Sequence, residues 1–250
     1  MTKQEILAIA MRQSAVDCSC AEGDFRKAVN VVTESVPAEG MSRYMETPHI
    51  CALFTYGSNI VAACRKDLIP DVERFVNGQE KIHRCFETPG IYELNRILEK
   101  AEASVYWMHT CFLPEPGLIF GTELTCPYEM REMHPEDFRD LYVPEWSNAL
   151  CKDRKELDVL GAGAYDNGKL IGLAACSTDC PEMWQIGIDV LPEYRRNGVA
   201  SALTNRLARA IFEHGKVPFY AAAWANLRSF RNGLRSGFRP AWSVLTAKKD

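Results

Sequence analysis

IGIDVLPEYRRNGVAS, residues Ile186–Ser201, decides how this chain reads. Ile186, Ile188 and Val190 alternate with Gly187 and Asp189 at the period of a strand, and Leu191-Pro192 ends it, because proline has no amide for a ladder. Beyond the turn Glu193-Tyr194-Arg195-Arg196-Asn197-Gly198, the apolar residues Val199, Leu203, Leu207, Ala210 and Ile211 recur at helical spacing. The turn therefore delivers a fresh helix whose first amides have no partner and whose positive dipole end faces the turn. Such an end attracts phosphate oxygens. Gly198 lets the backbone come close to an anion, Ala200 keeps the first helical turn uncrowded, and Arg195 and Arg196 add charge. The segment reads as a pyrophosphate site.

The pattern Arg195-x-x-Gly198-x-Ala200 after a strand resembles the acetyl-coenzyme A loop of the GCN5-related N-acetyltransferase (GNAT) superfamily, usually Q/R-x-x-G-x-G/A. A second segment, Val217 to Trp242, begins with a small-residue strand from Phe219 to Trp224 and places Asn226 at a helix start as an N-cap. That helix ends at Gly237, with Phe238 and Pro240 beyond it. This is similar to the superfamily's N-x-x-A...G-F signature, with Ser229 where a small residue is usual. The two matches occur in the family's order and spacing.

The resemblance implies that the acyl donor lies against the strand at Ile188, Asp189 and Val190. Its pyrophosphate then meets Arg195, Arg196, Asn197, Gly198, Val199, Ala200 and Ser201, and its pantetheine arm passes Asn226 and Ser229. Arg228, Arg231 and Arg235 share one helix face at spacings of three and four, with Arg239 just beyond, as a solvated basic face or as a counter-charge for a 3′-phosphate. One departure concerns mechanism. The family commonly has a tyrosine seven residues after the asparagine, near the thioester sulfur, and here that position is Gly233.

The implied chemistry is direct attack of an amine on the thioester carbonyl, with the developing oxyanion met by a backbone amide of the strand bearing Ile188 and Val190. A general base is welcome but not compulsory, and a carboxylate near the acceptor side is the candidate for it. Glu145 is the chosen candidate, because it lies among Tyr142, Trp146 and Leu150 in the segment where these enzymes usually hold the acceptor, and partial burial there would raise its pKa. Asp179, Glu182 and Asp189 are the other candidates. The alternative to an enzyme is a catalytically silent, coenzyme A-binding regulatory module, which Gly233 keeps open. A Rossmann-type dinucleotide enzyme fits poorly, since no G-x-G-x-x-G follows a strand.

The expected fold class is α/β (α+β), a C-terminal GNAT-like mixed sheet flanked by helices over 126–250, preceded by a mixed α/β domain over 1–125 of degenerate GNAT-like form. The breaker cluster Leu113-Pro114-Glu115-Pro116-Gly117 and Cys126-Pro127 set the boundary. Within 126–250 the reading is a strand at 128–133, a helical stretch at 135–150, strands at 159–165 and 170–177 joined by the hairpin turn Asp166-Asn167-Gly168, the strand ending at Leu191, a helix at 198–214, a strand at 217–224, a helix at 226–236 and a last strand at 242–247. Residues 1–125 read as an opening amphipathic helix, strands near 49–56, 59–64 and 105–112, and helices near 70–76 and 91–103.

With 250 residues, 47% of them hydrophobic, the chain can bury one large core or two moderate ones. Its net charge of −4 divides as about +1 on 126–250 and about −5 on 1–125, so neither half reads as a nucleic-acid binder. No run of eighteen apolar residues and no signal peptide stand in the sequence, so a cytoplasmic protein off the membrane is expected. The ten cysteines lack paired C-x-x-C spacing; buried reduced thiols are expected and no metal. The expected acceptor is a small-molecule or peptide amine, cationic by the acidity of the first half, and the oligomeric state is open.

Overall fold

The computed structural model describes residues 1–121 and 123–250. In chain order its main elements are helix α1 (Lys3–Asp17), strands β1 (Val31–Glu34), β2 (Cys51–Thr55) and β3 (Val61–Cys64), helices α2 (Ile69–Gly78) and α3 (Thr88–Leu98), strand β4 (Ala103–Pro114), helix α4 (Pro116–Gly121), and strands β5 (Glu129–Met133), β6 (Asp158–Asp166), β7 (Lys169–Ser177) and β8 (Met183–Val190). Helix α5 (Val199–Glu213), strand β9 (Val217–Ala223), helix α6 (Leu227–Arg235) and strand β10 (Phe238–Lys249) complete the chain. Among the described residues no helix is long and apolar enough to cross a membrane.

The chain forms two compact units that are discontinuous in sequence: Leu7–Cys111 with Ala241–Asp250, and Met1–Ile6 with Phe112–Pro240. The breaker residues draw attention to 113–127, whereas packing parts the chain inside β4 and exchanges the terminal segments.

In the first unit β1 runs parallel to β3, β3 antiparallel to β2, and β2 antiparallel to β10, with Ser243 opposite Thr55. Every residue of β3 and the first four of β2 are buried, the pattern of strands covered on both faces. β1 was not foreseen, because four residues between loops carry too little periodicity to read. Asp17 is buried in this unit and accepts from the Ser42 amide at 2.7 Å and the Ser42 hydroxyl at 2.6 Å. Burial pushes its carboxyl up to about 6, against the pull of those donors. The folded state therefore holds a proton that the unfolded chain releases near pH 4, and this stabilisation is lost as pH rises toward 6. The stability of the wild type relative to Asp17→Asn should fall by about 2.4 kcal/mol between pH 4 and pH 7, read from denaturant unfolding at each pH. A pH-independent difference would refute it.

In the second unit β5, β6, β7 and β8 form an antiparallel run and β9 pairs parallel to β8 through the crossover helix α5. Asn167 and Gly168 both have positive φ, 49° and 85°, as the tight hairpin between β6 and β7 requires. α5 covers one face of this sheet, burying Leu160, Ala164, Ile171, Ile186, Leu203, Leu207 and Ile211. The other face packs Phe138, Trp146, Leu150 and Leu173.

Three expectations need correction here. The stretch 135–150 is not a helix; it holds two short 3-10 turns, Pro135–Phe138 and Pro144–Trp146. The prolines start each turn, the Asn148 amide goes to the carboxylate of Asp189, and the Ala149 amide is shared between that carboxylate and the Trp146 carbonyl. The breaker cluster also contains a helix, α4, with Pro116 at its start and the Ile119 amide bonded to the Glu115 carbonyl. The last strand is longer than expected, starting at Phe238 directly after the left-handed Gly237.

Candidate acyl-donor site

β8 ends at Val190, a single 3-10 turn of Pro192–Tyr194 follows, and the chain enters α5 at Gly198. The Arg195 Nε donates to the Val190 carbonyl at 2.9 Å, tying the turn back to the strand end. The Tyr194 hydroxyl donates to Asp166 at 3.0 Å, and Lys169 pairs with Glu193 at 3.2 Å, so the β6–β7 hairpin braces the same turn. Arg196 has φ 69°, a left-handed conformation that costs a non-glycine residue about 1 kcal/mol or more. Gly198 has φ 79° at the N-cap of α5 and offers no side chain to cap it.

The consequence is a helix start with amides to spare. Ala202 bonds to the Gly198 carbonyl at 3.0 Å, whereas the amides of Val199, Ala200 and Ser201 come before the first intrahelical bond. Arg195, Arg196 and Asn197 are exposed around them. Val199 is seated by close packing rather than by the turn: a Cβ on Gly172 of β7 would lie 2.8 Å from the Val199 Cγ1. The dipole end and the arginines together suit a doubly charged pyrophosphate.

The strand beside this loop opens. β8 and β9 pair from Met183↔Val217 to Ile186↔Tyr220, after which β8 runs on to Val190 and β9 to Ala223. Ile188 and Val190 thus lie past the last pair, where backbone groups pointing toward β9 leave the ladder. Their side chains face α5, with Val190 buried and Ile188 partly so.

The residues expected on the second segment sit around α6. Asn226 is the N-cap, its side chain accepting from the Ser229 amide at 3.2 Å. The Ser229 hydroxyl bonds that of Tyr220 at 2.5 Å. Arg228, Arg231 and Arg235 are exposed, but Arg239 donates to the carbonyls of Leu234 and Phe238, so it closes the helix C-terminus.

The carboxylates differ from one another. Asp189, expected both along the donor strand and as a candidate base, accepts from the Asn148 amide at 2.8 Å, the Asn148 side chain at 2.7 Å and the Ala149 amide at 2.9 Å. It therefore anchors the 147–149 segment over β8. Gly187 lies beneath that segment, and a Cβ there would stand 1.9 Å from the Asn148 carbonyl oxygen. Asp179 is buried, paired with Arg154 and hydrogen-bonded to Ser177. Glu145 and Glu182 are exposed, so the burial expected at Glu145 is not found. Its neighbour Trp146 takes the interior position instead.

One titratable group was missed. Asp158 is buried, with the Tyr142 hydroxyl at 3.2 Å and the Cys151 amide at 3.3 Å, and burial raises its carboxyl to about 6. Tyr142 links it to a shallow cleft with Arg139 and Lys155. No local signal marks Asp158, because its environment comes from three separate chain segments.

Among solved structures, the chain resembles a putative GNAT-family acetyltransferase from Novosphingobium aromaticivorans (18% identity over 58% of this chain and 66% of that one, TM-score 0.44). It also resembles a GCN5-related N-acetyltransferase-like protein from Streptococcus suis (16% identity, 65% and 69%, TM-score 0.45). A third is the aminoglycoside N-acetyltransferase AAC(6′)-Iy in complex with CoA (22% identity, 48% and 93%, TM-score 0.37). The chain spans just under two thirds of the Novosphingobium protein's length. Among curated proteins none matches. The family model for the acetyltransferase (GNAT) family matches residues 127–232, which take in β5 through most of α6 and every loop residue described above. Residues 127–232 of this chain are a domain of the acetyltransferase (GNAT) family.

Proposed function

We propose that this protein moves an acetyl group from acetyl-coenzyme A to an amine by direct attack, with 126–250 as the catalytic domain and 1–125 as an N-terminal domain of degenerate GNAT-like form. The observation that carries the reading is the uncapped start of α5 at Gly198, standing at the end of a strand that has just parted from β9. The pyrophosphate binds at 195–201, the thioester lies along Ile188–Val190, and Asn226 and Ser229 flank the pantetheine arm. A backbone amide of the parted strand receives the oxyanion, a contribution typically worth several kcal/mol in acyl transfer.

Glu145 is assigned to the acceptor side, where its exposed carboxylate attracts a cationic amine and takes its proton into water. The acceptor is a small-molecule or peptide amine, and the protein works in the cytoplasm. A second reading, a silent coenzyme A-binding module, is favoured by Gly233 alone.

Thermal unfolding of the full chain with acetyl-coenzyme A, free coenzyme A and NAD tests the donor assignment. The two coenzyme A compounds should stabilise by about 2.7 kcal/mol at roughly a hundred times Kd, and NAD should not. Absence of stabilisation by either would sink the reading. Thiol release with any member of an amine library separates an enzyme from a silent module.

A further inference from the structure

All ten cysteines of the chain are free thiols, and two of them are set face to face by the β2–β3 ladder, in which Cys51 is paired with Cys64. The Arg65 amide donates to the Ile50 carbonyl at 2.9 Å, so the next pair outward, Ile50 with Arg65, is a hydrogen-bonded one. Bonded and non-bonded pairs alternate along an antiparallel ladder, which makes Cys51 and Cys64 a non-hydrogen-bonded pair. Residues at such a pair project from the same face of the sheet, with Cα atoms about 4.5 Å apart. A disulfide needs Cα atoms about 4.4–6.8 Å apart, so the backbone already stands inside the range for an S–S bond.

The surroundings decide how the pair reacts. Both residues are buried, but β2 begins at Cys51 and β3 ends at Cys64, so the pair lies one rung in from the end of the ladder, where Arg65 is exposed. Opening of that last rung is a local event and needs no unfolding of the sheet. Burial and the Asp67 carboxylate push the Cys64 thiol up to about 12, and burial with the neighbouring Cys64 pushes Cys51 up as well. Both sulfurs therefore stay protonated at neutral pH, which slows their attack on an oxidant until the end of the ladder opens.

We infer that Cys51 and Cys64 form an oxidative modification site, at which a peroxide converts the two thiols into a cross-strand disulfide that clamps the β2–β3 hairpin. Cys64, beside the exposed Arg65, reacts first: its sulfur takes an oxygen from hydrogen peroxide, the O–O bond breaks, and water leaves with the thiol proton. The Cys51 sulfur then attacks the Cys64 sulfenic acid, the S–S bond forms, the S–O bond breaks, and a second water carries off the Cys51 proton. Two electrons pass from the thiols to the peroxide, which ends as water. The new bond closes the loop 51–64 and restricts the unfolded chain more than the folded one, in which the two residues are already paired. No residue of the donor loop takes part, so the inference stands apart from the acyl-donor reading.

The test treats the folded full chain with hydrogen peroxide, blocks the remaining thiols, and maps disulfides by mass spectrometry of the digest. The wild type should give a Cys51–Cys64 cross-link and lose two titratable thiols that dithiothreitol restores. It should also melt about 5–10 °C higher than the same sample after dithiothreitol, a reference that shares its sequence and every other oxidation. Cys64→Ala should give no cross-link and no dithiothreitol-sensitive rise in melting temperature. Both thiols intact after peroxide, a cross-link that forms only in urea, or a cross-linked chain that melts no higher than its reduced form would overturn the inference.

Discussion

Gly198→Glu abolishes acetyl-coenzyme A binding at working concentrations while leaving the protein folded. A residue with a Cβ at φ 79° costs about 1–2 kcal/mol, and the site has room for it, since the nearest atom to an added Cβ is the Thr125 carbonyl oxygen at 3.8 Å. Part of that cost is recovered, because a carboxylate at a helix N-terminus interacts favourably with the dipole. Binding fares differently. The same carboxylate occupies the place meant for a phosphate, and two like charges about 4 Å apart repel by roughly 4 kcal/mol near a protein surface, close to a thousandfold in Kd. Gly198→Ala, which adds strain without charge, should lose only a few-fold. Calorimetric titration of both variants decides the matter: a Glu variant that binds within tenfold of wild type would mean that the anion lies elsewhere.

The second large effect is on folding. Gly187→Ala adds one methyl group, yet its Cβ would stand 1.9 Å from the Asn148 carbonyl oxygen, which is backbone and cannot turn aside. The 147–149 segment must lift, and lifting it breaks the three hydrogen bonds that Asp189 receives and uncovers Trp146 and Leu150. A loss of about 4 kcal/mol is expected, at the severe end of single substitutions. Gly23→Ala is the control, since nothing lies within 4 Å of an added Cβ there, and it should change stability by about 0.5 kcal/mol or less. Chemical denaturation of the two variants gives the comparison; equal midpoints would show that the segment yields freely.

These two glycines illustrate what a sequence can and cannot disclose. Gly198 was legible because its job is local: a strand that stops, a turn with positive φ and an amphipathic helix are all encoded within sixteen residues. Asn226 was legible for the same reason, since an N-cap and the amide it accepts from are three positions apart. Gly187 reads as one member of an alternating strand, and the chain that passes over it is about forty residues away in sequence. The failure at 135–150 has the same origin: a carboxylate on β8, about forty residues away, takes the Asn148 amide and shares that of Ala149 with the Trp146 carbonyl.

The candidate base shows the limit most clearly. Glu145 sits in the expected segment, yet which of its neighbours turned inward was decided by packing, and Trp146 took that place. Asp158 and Tyr220, two titratable groups whose pKa is raised by burial, carry no motif at all. Burial is a sum over contacts from distant segments, so no window of sequence contains it.

By itself, then, the sequence determined the strand-turn-helix of the donor loop, the capped helix that follows and the hairpin at Asn167-Gly168, because short-range backbone chemistry dictates each of them. Only the tertiary structure decided where β8 and β9 part and which carboxylates are used up in holding the chain together, because those outcomes depend on which remote surfaces come within a few ångströms of one another.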